Sequence, residues 1–211
     1  MEQHDAQQLV NDVIGNAHLF VAAVTGMKNA LLGEIAGRQL SFSQLKVLKL
    51  IDVTEAHHVG DVAAFLGVSD AAASKTVDRL VQQNYIRRTV VRSDRRSAEL
   101  SLAPAGRKLL NRYEAAKDRR LAAMFSDLDT KDLRRTSEFL ERLTKVIVNS
   151  SANPEEICLQ CGIYLKKRCL VREAVRADCF YQKRRTTRQV RRNATEAEVP
   201  TRGGARMGPP G

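Results

Sequence analysis

The N-terminal part of the chain carries one long stripe of apolar residues. Between residues 6 and 37 the apolar positions recur mostly every three or four residues, which places them on one side of an α-helix. They are Val10, Val13, Ile14, Ala17, Phe20, Val21, Val24, Met27, Leu31 and Ile35. A helix this long has more apolar surface than a small domain can cover. We therefore expect a partner helix, for example from a second copy of the chain.

Three shorter helices are predicted next, and each has a recognisable end. Ser41 and Gln44 have the spacing of a capping box. Gly67 suits the left-handed exit of a short helix that begins at about Val59. Ser69 is the expected N-cap of the following helix, which extends to about Gln83. Its predicted inner face is Ala73, Val77, Leu80 and Val81, and its predicted outer face is Asp70, Ser74, Lys75, Asp78 and Gln82, with Ala71 and Arg79 at the flank.

After Asn84 the apolar period changes from helical to two, which predicts a β-hairpin. Its strands enclose a polar, cationic tip from Arg92 to Ser97. Pro104 then begins a fifth helix, and Asp129 or Thr130 begins a sixth. The stretch from Asn149 to Pro154 has the composition of a linker.

The charge of the chain favours a polyanionic partner. Lysine and arginine total 35 against 24 acidic residues, so the net charge is +11. A basic surface attracts phosphate backbones and displaces their counterions. Residues 183–211 contain eight Lys/Arg and two Glu, a difference of +6, and they lack aromatic residues. Such a segment is predicted to be a basic, disordered tail.

The N-terminus indicates a cytoplasmic protein without membrane attachment. The first ten residues are polar and acidic and lack the basic start and apolar stretch of a signal peptide. We expect no uninterrupted apolar run near the ~18 residues that span a bilayer. Thiols are normally reduced in the cytosol, so the cysteines are interpreted first as ligands or redox groups.

Two short helices joined by a glycine-containing turn and followed by a hairpin have the order of a winged helix-turn-helix. The second helix of such a pair can enter the major groove. Ser69 and Ser74 can then donate to phosphate or base edges. Lys75 and Arg79 can pair with phosphate or with guanine acceptors.

Acidic residues on the same surfaces need a different explanation. Asp70 and Asp78 would be repelled by phosphate, so we expect them to face base amines or neighbouring cations. At the wing tip, Asp94 is expected to hold Arg96 by a paired hydrogen bond, and Arg95 adds charge. An arginine there suits the negative potential of a narrow minor groove.

Three segments together resemble the MarR family of bacterial transcription regulators, over roughly residues 10 to 148. They are "LSFSQLKVLKLI", "VGDVAAFLGVSDAAASKTVDRLVQQNYIRR" and "RSDRRSAELSLAPAG". Asp94-Arg95-Arg96 looks like the Asp-x-Arg wing motif of the family. "LSLAPAG" stands where the family has a Leu-Thr-x-x-Gly exit, with Ala103 in place of the usual threonine.

The resemblance implies a mainly α fold with a small β-wing, a winged helix-turn-helix with a long helical dimerisation region. It implies a homodimer in which the first, fifth and sixth helices interlace and the two recognition helices bind a palindromic operator in double-stranded DNA. Repression is favoured over activation, and the question of whether a small-molecule effector binds stays open. The implied DNA contacts are Ser69, Ser74, Lys75, Arg79 and Arg96.

The chain is accordingly divided into five parts. Residues 1–40 form a dimerisation helix, and 41–103 form the winged helix-turn-helix. Residues 104–150 form the C-terminal dimerisation helices, 151–182 a four-cysteine extension, and 183–211 the basic tail. His57 and His58, in the loop before the third helix, are interpreted as surface residues because no third donor lies near them in sequence.

All four cysteines fall within residues 158–179, at Cys158, Cys161, Cys169 and Cys179. Four thiolates are a complete ligand set for zinc or for an iron–sulfur cluster. Structural zinc usually takes two close cysteine pairs, and only one pair here is close. The spacing therefore favours an iron–sulfur cluster, 4Fe–4S before 2Fe–2S, with zinc and with free or disulfide-bonded thiols as the alternatives.

The sequence thus predicts a transcription regulator whose DNA affinity is modulated by an iron–sulfur cluster that senses redox state or iron. One alternative keeps the fold and makes the cysteine segment a structural zinc site. Another is a small iron–sulfur redox carrier with a basic docking surface. An enzyme is not expected, since no catalytic triad or phosphate-binding glycine loop is recognisable.

Overall fold

The computed structural model describes residues 2–54, 58–91 and 94–152, with the backbone alone at 2, 3, 38, 54, 90, 91 and 94–98. These residues are mainly helical and contain one two-stranded antiparallel sheet, as predicted. A short 3-10 turn, Gly37–Gln39, joins the first two helices. The elements are α1 (Glu2–Ala36), α2 (Phe42–Thr54), α3 (Val59–Leu66), α4 (Asp70–Gln82), β1 (Ile86–Val91), β2 (Asp94–Leu102), α5 (Pro104–Met124) and α6 (Thr130–Ser150).

The predicted helix ends are confirmed by their hydrogen bonds. The backbone N–H of Ser41 donates to Oε1 of Gln44 at 2.8 Å, and that of Gln44 donates to Oγ of Ser41 at 3.3 Å, which is a capping box. Gly67 has φ 65°, the left-handed conformation that glycine adopts without strain. Pro104 is the first residue of α5, and Asp129 caps α6.

The core of the described residues lies where α2, α4, the hairpin and α5 meet. Tyr113 of α5 is fully buried, and its hydroxyl donates to the backbone oxygen of Lys28 in α1 at 3.4 Å. This contact holds the C-terminal half of α1 against α5. The other large side chains that are fully buried include Leu45, Leu48, Leu50, Ile51, Leu80, Ile86 and Leu100.

The apolar stripes of α1 and α6 are only partly covered within one chain. On α1, Leu31 is buried, whereas Val10, Ile14 and Phe20 are all more than half exposed. On α6, Leu133, Leu140 and Ile147 recur every seven residues and are also exposed. The sequence expectation that α1 has more apolar surface than one chain covers is met.

Averaged hydropathy corrects the expectation about membrane spans. Residues His4–Ala36 contain an 18-residue window of mean hydropathy 1.3 with at most two charged residues. By length and composition, this helix could therefore cross a membrane. The same properties belong to helices that pack against other helices, so the window does not identify a membrane segment.

The loop at the tip of the hairpin is shorter than the sequence predicted, because the second strand begins earlier. In its regular part Ile86 pairs with Leu102 and Arg88 with Leu100. The register shifts between Val90 and Val91, and Val91 pairs with Asp94, so β2 already begins within the predicted polar tip. The two residues between the strands, 92 and 93, lie outside the described ranges.

Candidate nucleic-acid interface

Helix α4 begins at a tight turn that presents its first residues to solvent. Gly67 ends α3, and the backbone N–H of Val68 donates to the oxygen of Ala63 at 3.1 Å. Ser69 then caps α4, and its Oγ accepts from the backbone N–H of Ala72 at 3.4 Å. A hydroxyl that accepts a capping bond still has its own proton to donate. The exposed Ser69 can therefore cap the helix through its oxygen and donate its proton to a phosphate at the same time.

The inner face of α4 is confirmed at three of its four predicted positions. Ala73, Val77 and Leu80 are fully buried. Val81 is 38% exposed, so its assignment to the inner face was wrong. It lies next to Leu80 in sequence, about 100° further around the helix, and only Leu80 points at the core. The buried residues fix how far α4 projects from the domain.

The outer face of α4 brings the predicted DNA-contact residues together. Asp70, Lys75, Asp78 and Arg79 are exposed, and Ser74 is half-buried. Lys75 and Arg79 lie four residues apart, so they are neighbours along one ridge of the helix. Two cations on an exposed ridge can pair with phosphate or with guanine acceptors without moving buried groups.

Asp78 is already engaged by two neighbours. Its Oδ1 lies 3.3 Å from Nη1 of Arg88 in β1. Its Oδ2 accepts from Oγ of Ser74 at 3.5 Å. Of the two sequence expectations for this carboxylate, the neighbouring cation is present in the structure. Sequence reasoning missed Arg88 as a site residue, although its position two residues into the strand after α4 was the available signal.

The wing is firmly attached at its root. The backbone oxygen of Tyr85 accepts from the backbone N–H of Ala103 at 3.0 Å. The backbone N–H of Tyr85 donates to the oxygen of Leu80, which joins the hairpin to the end of α4. Tip side chains Asp94, Arg95 and Arg96 lie outside the described side chains, so the Asp94–Arg96 pair stays a prediction.

Charged contacts connect α2, at the base of the winged helix, to α5. Lys49 of α2 and Lys117 of α5 both contact the carboxylate of Glu114. Burial raises the pKa of Glu114, but the hydrogen bonds and charges of Lys117 and Lys49 outweigh it and hold that pKa below its ordinary value. A second pair joins Arg107 to Asp52 at 2.7 Å. These contacts set the orientation of α2 on α5.

An open groove between α1 and α5 combines an apolar floor with a charged rim. Arg120 makes two hydrogen bonds to the carboxylate of Glu34, at 2.9 and 3.0 Å. Arg112 and Arg119 extend the positive rim, and the floor is Leu31, Ile35 and Ala116.

The sequence-predicted metal ligands all lie outside the described residues. Cys158, Cys161, Cys169 and Cys179 lie outside residues 2–152. Within the part of the chain that the structure describes, no group of three or more His, Cys, Asp or Glu is arranged to hold a metal ion. His58 is exposed beside the first residue of α3, and its backbone N–H donates to Oδ2 of Asp61 at 3.0 Å. His57 is outside the described ranges.

One segment of the chain is similar to a known protein family. The family model described as the MarR family matches residues 40–98, the segment from the start of α2 into β2. The similarity to the MarR family therefore covers the winged-helix part of the chain. Members of the MarR family are DNA-binding transcription regulators and not enzymes.

Known proteins resemble this chain beyond the matched segment. An uncharacterized HTH-type transcriptional regulator, YpoP of Bacillus subtilis (strain 168), is 25% identical over 114 residues, which are 54% of this chain and 81% of YpoP. The crystal structure of YusO from Bacillus subtilis superposes with a TM-score of 0.52 at 24% identity and covers 64% of this chain and 96% of YusO.

Two further structures confirm the MarR-type fold at lower identity. RV1404 from Mycobacterium tuberculosis has a TM-score of 0.58 at 20% identity and covers 64% of this chain and 92% of its own. A MarR family protein from Bacillus stearothermophilus has a TM-score of 0.59 at 15% identity and covers 67% and 96%. In this chain, that fold includes the two-stranded sheet beside α4.

Proposed function

We propose that this MarR-type protein is a cytoplasmic transcriptional repressor that binds a palindromic operator in double-stranded DNA as a homodimer. The observation that carries the proposal is the exposed ridge of α4 with Lys75 and Arg79, on a helix whose Asp78 pairs with Arg88 of the wing. A helix presented in this way can enter the major groove while the wing follows the adjacent backbone.

The homodimer is supported by the apolar surface that one chain leaves open. Exposed apolar side chains occur on α1, at the end of α5 and on α6. Patches of this kind on a protein mark interaction surfaces. A second copy presents the same helices, so a two-fold pairing covers both sets and places two α4 helices on one duplex.

The proposed function is tested by selecting binding sites from a random-sequence duplex library and footprinting the protein on the recovered sequence. We expect a bounded site with two inverted halves, because a two-fold dimer presents identical reading surfaces. Lys75→Gln and Arg79→Gln should each weaken binding to that site. Arg134→Gln, on the exposed surface of α6, removes the same charge away from α4 and is the matched control. Recovery of no preferred sequence would refute the proposal.

We further propose that the cysteine segment holds an iron–sulfur cluster that makes DNA binding sensitive to redox state or iron. The support is chemical and comes from the sequence: four cysteines within 22 residues, surrounded by Lys166, Lys167, Arg168, Arg172 and Arg176, which favour thiolates. When bound, a cluster would cross-link the segment through all four sulfurs. Without it, the segment loses this constraint beyond α6, and we expect weaker operator binding.

Anaerobic purification tests the cluster directly. Visible sulfur-to-iron absorption, with iron and acid-labile sulfide in the isolated protein, supports the proposal. Cys161→Ser should remove the absorption, and operator affinity should fall in the same variant and after exposure to air. A colourless protein that contains only zinc would mean that the cysteine segment holds a structural zinc ion and not an iron–sulfur sensor. The loss of metal would then alter stability rather than redox response.

A further inference from the structure

Arg88 occupies a fixed position at the junction of α4 and the wing. Asn84 adopts a left-handed conformation with φ 56°, and Tyr85 hydrogen-bonds back to Leu80, so β1 starts directly at the end of the helix. Ile86, two residues before Arg88 on the same face of β1, is buried. The cross-strand partner of Arg88, Leu100, is buried as well. The backbone that carries Arg88 is therefore tied to the core.

The ion pair between Arg88 and Asp78 is accessible to a polyanion. The side chain of Arg88 is 36% exposed and that of Asp78 is 50% exposed. A guanidinium has five N–H donors in a planar fork, and the contact with Asp78 is made through Nη1. The rest of the fork can donate to a phosphate while Asp78 holds its orientation.

The place of Asp78 along α4 argues against a base-reading role. Asp78 is the ninth residue of α4, about 12 Å along the axis from its first residue at the usual helical rise. Recognition helices contact base edges mainly with their N-terminal residues. Both carboxylate oxygens of Asp78 also have protein partners, Arg88 and Ser74. An unpaired carboxylate at this point would face a phosphate backbone and be repelled.

We propose that Arg88 is a DNA-backbone contact at the root of the wing and that Asp78 is its positioning residue rather than a reader of bases. The proposal rests on the proposed function. The Arg88 contact is independent of sequence, so it adds affinity on every duplex and sets the distance between α4 and the backbone. Asp78 lowers the freedom of the Arg88 side chain and partly neutralises its charge in the unbound protein.

The experiment measures binding to a labelled mixed-sequence duplex over a series of salt concentrations. For Arg88→Gln we expect the slope of log K against log salt to become shallower by about one, as one phosphate contact is lost. Arg87→Gln is the matched control, because it removes the same charge from the adjacent residue on the opposite face of β1. Its slope should change by clearly less. Arg88→Lys should retain most of the slope with weaker binding, since it keeps the charge and loses the fork.

Asp78→Asn distinguishes positioning from base reading. We expect unchanged base preferences in sites selected from a random library, and a change in affinity that largely disappears when Arg88→Gln is also present. A shift of preference at one base position would assign Asp78 to base reading and overturn the proposal. An Arg88→Gln slope equal to that of the wild type or of Arg87→Gln would also overturn it. Absence of wild-type binding to any duplex would overturn the proposed function as well.

Discussion

Gly106 lies so close to the backbone oxygen of Tyr85 that a Cβ at position 106 would stand 2.1 Å from it. Gly106 is in the first turn of α5, and Tyr85 connects α4 to the wing. The same oxygen accepts the backbone N–H of Ala103. One carbonyl thus joins the segment between α4 and the wing to the first turn of α5. The absence of a side chain at position 106 permits this close approach.

Gly106→Ala should therefore destabilise the protein despite the higher helix propensity of alanine. The new methyl group must displace backbone rather than a flexible side chain, and overpacking of this kind costs about 1–3 kcal/mol. Urea unfolding followed by circular dichroism measures the free energy of unfolding. Gly60→Ala in α3 is the control, because no atom lies within 4 Å of a Cβ built there. Equal stability of the two variants would contradict the role assigned to Gly106.

The ends of the elements could be predicted from sequence because the signals are local. The capping box of Ser41 and Gln44, the left-handed Gly67 and the initial Pro104 each depend on residues within a few positions. Their hydrogen bonds and dihedral angles hardly depend on the rest of the fold, so the sequence alone identifies them.

Features that depend on contacts between elements were not predictable in the same way. The pairing of Asp78 with Arg88 depends on the angle between α4 and β1, which periodicity does not specify. Val81 was assigned to the core because it is apolar, yet the helix turns it toward solvent. The contact between Lys49 and Glu114 joins residues more than sixty positions apart. No local signal marks such a pair.

Glu114→Gln should lower stability at neutral pH and have little effect in acid. The pKa of Glu114 is below its ordinary value in the folded protein, so its ionisation stabilises the fold above the unfolded pKa of about 4.3. That contribution is lost as the pH falls through the lower folded pKa. We expect a loss of about 1–2 kcal/mol at pH 7, since two charged hydrogen bonds disappear from a partly exposed site.

Urea unfolding at neutral pH and at about pH 3 measures this dependence, with the acid point below the unfolded carboxyl pKa. Glu138→Gln serves as the control, because Glu138 is exposed on α6. The difference between wild type and Glu114→Gln should shrink in acid, whereas Glu138→Gln should stay close to the wild type at both values. If Glu114→Gln and the wild type differ by the same free energy of unfolding at both pH values, ionisation of Glu114 does not stabilise the fold.

Leu140→Glu should weaken the proposed dimer. Leu140 belongs to the exposed apolar stripe of α6 with Leu133 and Ile147, and a buried carboxylate there would have to be desolvated on association. We expect the dimer dissociation constant to rise at least about tenfold, which corresponds to about 1.4 kcal/mol. Sedimentation velocity over a concentration series gives this constant. Arg134→Glu introduces the same side chain at an exposed polar position of α6 and should leave association nearly unchanged.

If Leu140→Glu and Arg134→Glu dimerise equally well, α6 is not part of the interface. The exposed apolar positions of α6 would then need a different partner. Circular dichroism of both variants shows whether the α6 helix persists, which separates a lost interface from a lost fold.

Removal of residues 183–211 should flatten the salt dependence of DNA binding without changing the preferred site. The deleted segment carries eight Lys/Arg and two Glu, and each phosphate contact that is lost with it lowers the salt slope by about 0.9.

Removal of residues 194–211 is a matched control, because that shorter segment contains two Arg and two Glu and takes away no net charge. Titrations of a selected site at several salt concentrations compare both truncations with the full chain. The proposed base contacts belong to α4, so selected sequences should be the same for all three proteins. If the longer truncation keeps the full slope, the cations of 183–193 do not contact DNA, and the electrostatic part of binding comes from α4 and the wing alone.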